Sequence, residues 1–157
     1  MNTKLLHIAC GLGLALAPSA TWAEDSAAPI ITKSGQIGAP EPGKAQVVFF
    51  RPGTIMGAAL GCTVHEGERQ VARLGAGKYF VITAEPGVHK FATRGQAADT
   101  LNLEVEADET YFVKCKIGSG VVSGAAQLEP SDRASFAKKA KGAKLWTPAD
   151  WAEKQGG

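Results

Sequence analysis

The sequence is short of the features that mark several large classes of protein. Its longest apolar stretch, Leu5 to Ala17, spans 13 residues, well under the ~20 that a membrane-crossing helix needs. Charge of neither sign is in excess. The 17 Lys and Arg against 15 Asp and Glu leave a net +2, without the strongly basic balance of a nucleic-acid binder. Cysteine and histidine occur three times each. No two cysteines stand in a Cys-x-x-Cys spacing, so no dithiol redox centre is spelled out. No internal repeat is present. Apolar residues make up 45%, ordinary for a globular chain and too many for a disordered one.

What is present begins with an export signal. Lys4 precedes the apolar stretch, Pro18 breaks it, and Thr21 and Ala23 supply small residues before a cut at Glu24. Residues 1–23 therefore read as a signal peptide. Its removal leaves 134 of 157 residues, enough for one domain. A lipid-modified Cys10 is the less favoured reading, because most of the apolar stretch follows the cysteine and His7 interrupts the part before it. The expected location is periplasmic or secreted, with no membrane span after cleavage. Cys62 and Cys115 remain, and an even count in an exported chain permits one disulfide.

Residues 24–43, with Pro29, Pro40 and Pro42, read as a flexible tether. From 44 to 129 the signals are those of strands. Ala45 to Phe50 is a continuous apolar run closed by Arg51-Pro52-Gly53. Leu60, Cys62 and Val64 alternate with smaller or polar residues, as do Leu101, Leu103 and Val105, and Tyr111, Val113, Cys115 and Ile117. Glu85-Pro86-Gly87 is a turn signal, and a last strand is expected between Val121 and Leu128. The pattern predicts a mainly β fold, an antiparallel β-sandwich of about seven or eight short strands. One or two short C-terminal helices follow in residues 130–157. Ser131 is expected to cap the first and Gly142 to end it. Thr147 and Pro148 open the second, with Trp146 and Trp151 in contact as a staple.

A resemblance enters at these strands and turns. Gly43-Lys44-Ala45-Gln46-Val47-Val48-Phe49-Phe50-Arg51-Pro52 resembles the opening of the exported bacterial family called domain of unknown function 2846. Gly77-Lys78-Tyr79-Phe80, Glu85-Pro86-Gly87-Val88-His89-Lys90-Phe91 and Glu109-Thr110-Tyr111-Phe112-Val113 fit it as well. The Pro-Gly-x-His turn also looks like surface-layer PEGA-type modules. The resemblance implies a small β-sandwich of the cell envelope and brings no catalytic signature. The segment from Ser131 onward departs from the family's pattern.

The candidate sites are few. Alternation points both Cys62 and Cys115 into the core, where a disulfide competes with two buried free thiols. Cys62 and His65 have ligand-like spacing but fall on opposite faces of a strand unless it bulges. His89, after Pro-Gly, is expected to stabilise its turn by a hydrogen bond. Gly118 to Gly124 is one residue too long for a dinucleotide loop and reads as a bend. The lysines 138, 139, 141 and 144 read as a solvated helix face, with contact to anionic lipid or acidic glycan as the sharper alternative. Arg51, His89, Trp146 and Trp151 are the candidate surface-recognition residues, and Tyr79 and Phe112 are expected to be exposed aromatics. No catalytic, cofactor or metal residue is assigned. The favoured function is a non-catalytic envelope module that recognises a protein or a cell-wall component. A small-ligand or glycan binder is the alternative, and an enzyme is the least supported reading.

Overall fold

A computed structural model describes residues 28–55, 59–94, 98–118 and 125–155. The expected signal peptide, Cys10 and the Gly-rich stretch 119–124 lie outside the described residues. In chain order the strands are β1 (Ile30–Thr32), β2 (Gly35–Ile37), β3 (Ala45–Arg51), β4 (Cys62–Glu66), β5 (Arg69–Leu74), β6 (Lys78–Ala84), β7 (Gly87–Thr93), β8 (Thr100–Val105), β9 (Thr110–Ile117) and β10 (Ala126–Ser131). Helix α1 (Arg133–Ala140), the short β11 (Lys144–Leu145) and helix α2 (Pro148–Gln155) complete the chain.

Two sheets face each other, as the strand pattern predicts. One has five strands in the order β10-β9-β3-β6-β11, the other four in the order β5-β4-β7-β8. The four-stranded sheet is antiparallel throughout. The five-stranded sheet is mixed, because β3 runs parallel to β9 and β11 parallel to β6.

The apolar run at β3 becomes the central strand of the larger sheet, and it is covered on both faces. Ala45, Val47 and Phe49 point between the sheets, where Phe49 meets Phe91 edge-on at 5.0 Å. Val48 and Phe50 point the other way, into a second core built with Tyr79, Phe112, Phe136, Ile30 and Ile37. Continuous apolarity is what a strand buried on both faces requires. Phe136 of α1 is the centre of this outer core. Its ring lies 5.1 Å from that of Phe50 and 5.7 Å from those of Tyr79 and Phe112.

The disulfide forms. Cys62 on β4 and Cys115 on β9 join the two sheets across the main core, with Cα atoms 6.5 Å apart and a sequence separation of 53.

Several expectations are corrected. Residues 30–37 are not tether but a hairpin, β1 and β2, whose Ile30 and Ile37 are buried against the outer core. A hydrogen bond of 2.9 Å between Thr32 Oγ1 and the Tyr79 hydroxyl pins it there. Leu60 precedes β4 and is 43% exposed. The last expected strand begins at Ala126 and runs on to Ser131. Asp132, not Ser131, caps α1, its Oδ1 accepting from Ser135 N at 2.8 Å. Gly142 follows that helix without entering the left-handed region. Helix α2 begins as expected at Pro148, and Asp150 in its first turn accepts from the Thr147 N–H at 2.7 Å, one half of a capping box.

Two measurements test this architecture. The paired substitution C62A/C115A is expected to lower unfolding free energy by about 2–4 kcal/mol in urea titrations, by loosening the unfolded chain. Phe136→Ala is expected to cost about 3–5 kcal/mol, and hydrogen exchange should then quicken first in the β1–β2 hairpin, which rests on that ring.

Candidate functional site

The strand order sorts charge to the two ends of the sandwich. β3 carries no charge between Ala45 and Phe50 and delivers Arg51 at its far end, opposite Lys78 on β6. Helix α1 runs toward that same end and places Lys138 and Lys139 in its last turn. The backbone then closes over the start of β6: Lys144 N donates to Gly77 O at 3.0 Å, and Lys33 N from the hairpin donates to Ala143 O at 3.1 Å. Lys33, Lys78, Lys139, Lys141 and Lys144 therefore share one end. The β3–β4 connection leaves from this end too, with Ile55 98% exposed.

The other end is acidic. Glu41, Glu85, Glu106, Asp108 and Glu109 gather where β3 and β9 begin and β6 and β8 finish, with Lys44 paired to Glu85 among them. A cleft of about 430 Å³ opens there between Leu103, Asp108, Glu109, Tyr111, Asp132 and Arg133.

The four expected recognition residues do not form one surface. Arg51 is not a surface cation. It is 3% exposed, its Nη1 donates to the Leu60 carbonyl, and burial lowers its pKa. Trp151 is also buried, its ring edge-on to Phe80 at 5.3 Å and its Nε1 donating to Trp146 O at 3.0 Å. Its link to Trp146 is thus a hydrogen bond to the backbone. Trp146 stays half-buried near the basic end, with Lys78 Nζ 4.4 Å above its ring. Tyr79 and Phe112, expected outside, belong to the outer core. Sequence reasoning passed over Ile55, Lys33 and Lys78. The signal for Ile55 was the ten-residue run from Pro52 to Gly61 without a charge.

His89 does stabilise its turn. Nε2 lies 2.8 Å from Glu85 O, and Nδ1 lies 2.5 Å from Glu66 Oε1. Arg69 adds a 2.7 Å contact to the same carboxylate. Burial opposes the charged ring, yet the Glu66 and Glu85 oxygens outweigh it and hold His89 above its ordinary 6.5. Burial likewise opposes ionised Glu66, but His89 and Arg69 keep it below its ordinary 4.5.

His65 behaves oppositely. A bulge between Val64 and His65 shifts the register, but His65 pairs with Ala92 on the outer face, while Cys62 is bonded to Cys115. The two share no metal. Within the described residues no cluster of three His, Cys, Asp or Glu is placed to hold one. His65 Nδ1 is buried without a hydrogen-bond partner, and burial, with Arg94 nearby, lowers its pKa.

Facing sheets stapled through their core, with oppositely charged ends, define a small disulfide-linked β-sandwich. The chain belongs to the family described as protein of unknown function (DUF2846), whose sequence model matches residues 41–126. No curated protein matches the chain. The hairpin, α1, β11 and α2 all fall outside the matched span.

The histidines give stability a readable pH dependence. The raised His89 contributes fully below pH 6.5, and this is lost as pH rises through its folded pKa. The lowered Glu66 contributes above pH 4.5, and this is lost as pH falls through its own. The pair is thus strongest between those values. His65 runs the other way, its contribution full above pH 6.5 and lost on acidification. His89→Gln should therefore destabilise more at pH 5.5 than at pH 8.5, and His65→Gln should lessen the loss on acidification. Urea midpoints of the three proteins at both values check this.

Proposed function

We propose that this chain is an exported, non-catalytic module of the cell envelope that acts by surface recognition. The observation that carries the reading is the cross-sheet Cys62–Cys115 disulfide, a bond that persists in oxidising compartments and is rare in the cytosol. The leader-like residues 1–23 support export independently. The placement of the described histidines supports the non-catalytic part of the reading. His89 is held by Glu66 and Glu85, and His65 is buried beneath the outer face of a sheet. One observation favours a second reading, a small-ligand or glycan binder. The 430 Å³ cleft at the acidic end offers Tyr111 beside Asp108 and Glu109, in the size range of ligand sites.

Cell fractionation with a non-reducing digest tests the main reading. The expected result is a chain that starts at Glu24, is found in the envelope or periplasmic fraction, and yields a linked Cys62–Cys115 peptide. A full-length cytoplasmic chain with both thiols free would overturn it. Thermal shift with envelope sugars tests the cleft, where a shift abolished by Tyr111→Ala would move the assignment to ligand binding.

A further inference from the structure

We propose that the basic end of the sandwich docks on the surface of an anionic lipid bilayer. The inference deepens the envelope reading and rests on it, by naming what the recognition surface meets.

Three features converge at this end. The first is apolar exposure on a loop. Ile55 is 98% and Leu60 43% exposed, and the sequence between Pro52 and Gly61 carries no charge. A lone exposed Ile is ordinary, so the weight lies in its company. The second feature is cationic. Lys33, Lys139, Lys141 and Lys144 are exposed, and the backbone bonds from Lys33 and Lys144 to Ala143 and Gly77 hold them beside the start of β6. A Cβ added to Gly53, two residues before Ile55, would lie 3.8 Å from Gly77 Cα, so the start of this connection and the lysines occupy one surface. Asp150 lies near enough to Lys78 and Lys144 for their charge to favour its ionised form, and its carboxylate already accepts from both the Thr147 N–H and hydroxyl at 2.7 and 2.6 Å. The third feature is a cleft of about 230 Å³ between loop and helix, lined by Gly53, Gly77, Lys78 and Lys139, with no carboxylate among its described lining residues. That space suits a phosphate headgroup.

An exposed apolar side chain at the same end as a cluster of lysines is the arrangement of interfacial membrane binders, in which apolar insertion and attraction to anionic headgroups add. Half-buried Trp146, under Lys78, supplies the amphipathic ring favoured at such boundaries. An acidic protein would use the lysines but leaves Ile55 unexplained. The acidic far end directs the molecule, since an anionic surface repels it and attracts the basic end.

The test is co-sedimentation with phosphatidylcholine vesicles that do or do not contain phosphatidylglycerol. The chain should begin at Glu24, because Leu5 to Ala17 would enter vesicles unaided. This form keeps every described strand and helix. Binding is expected only to the anionic vesicles and should weaken with salt. K139E/K141E/K144E should weaken it at least about tenfold, and Ile55→Asp about tenfold. Lys90→Glu, exposed on the outer face of the four-stranded sheet, should leave it unchanged. All these side chains are exposed, and far-ultraviolet circular dichroism confirms each fold.

No binding at low salt, equal binding to neutral vesicles, or indifference to Ile55→Asp would overturn the proposal. Self-association abolished by the lysine variant, without vesicle binding, would also overturn it and assign the surface to the acidic end of a second copy. An envelope location without vesicle binding removes the lipid proposal alone. A cytoplasmic chain removes the envelope reading itself, whatever the vesicles show.

Discussion

A strand buried on both faces must be covered twice, and most of this structure follows from β3 being such a strand. The four-stranded sheet provides one cover and receives Ala45, Val47 and Phe49. Val48 and Phe50 need the other, which is assembled from two distant parts of the chain: the hairpin before β3 and the helix after β10. Phe136 alone touches the rings of Phe50, Tyr79 and Phe112. The family match ends at residue 126 and begins at 41, so this second cover lies wholly outside it. The matched span holds β3 to β9, while β10 beyond Ala126, β11 and the outer layer lie in its flanks. By the usual size of area terms, leaving five large side chains of that layer in water would forgo about 1.5–3 kcal/mol each. The flanks are therefore part of the folding unit.

The same topology explains why charge collects at the ends. Strands covered on both faces have no room for ionised groups, whose burial without partners is costly. Lys and Glu are pushed to strand termini, and the direction of each strand decides which terminus. β3 ends beside the start of β6, and α1 runs back toward the same place, so their cations accumulate together. Where β9 begins and β8 finishes, the turn residues are acidic instead. The end-to-end asymmetry is thus a product of connectivity, which the near-neutral total hides.

Alternation made one face of each strand legible. It placed Cys62 and Cys115 in a common core, and the disulfide lies there. It could not say whether the opposite face would be solvated. For that reason alternation alone leaves Tyr79 and Phe112 in water, where the structure buries them. Yet an aromatic on each of two strands neighbouring β3, aligned with Val48 and Phe50, was itself a sign of a second cover. The hairpin was hidden by shortness: three-residue strands show no period, and prolines on either side suggested a tether. His89 was legible because Pro-Gly fixes a local turn and the hydrogen bond to Glu85 is local as well. Its bond to Glu66 was not, since 23 residues separate the two.

Arg51 shows how a misread residue can organise a surface. A guanidinium held at 3% exposure is costly unless its donors are satisfied, and one of them goes to the carbonyl of Leu60. Arg51 stands at the start of the β3–β4 connection and Leu60 near its end, just before Cys62 is tied to the other sheet. The two roots of the connection are therefore fastened by a buried charge-assisted hydrogen bond and by a disulfide. With both roots fastened, the described start of the connection can hold an apolar side chain outside the core. That is the physical condition under which Ile55 can stand in water: the fold secures the loop from below, and the apolar side chain is left for whatever the end of the sandwich meets.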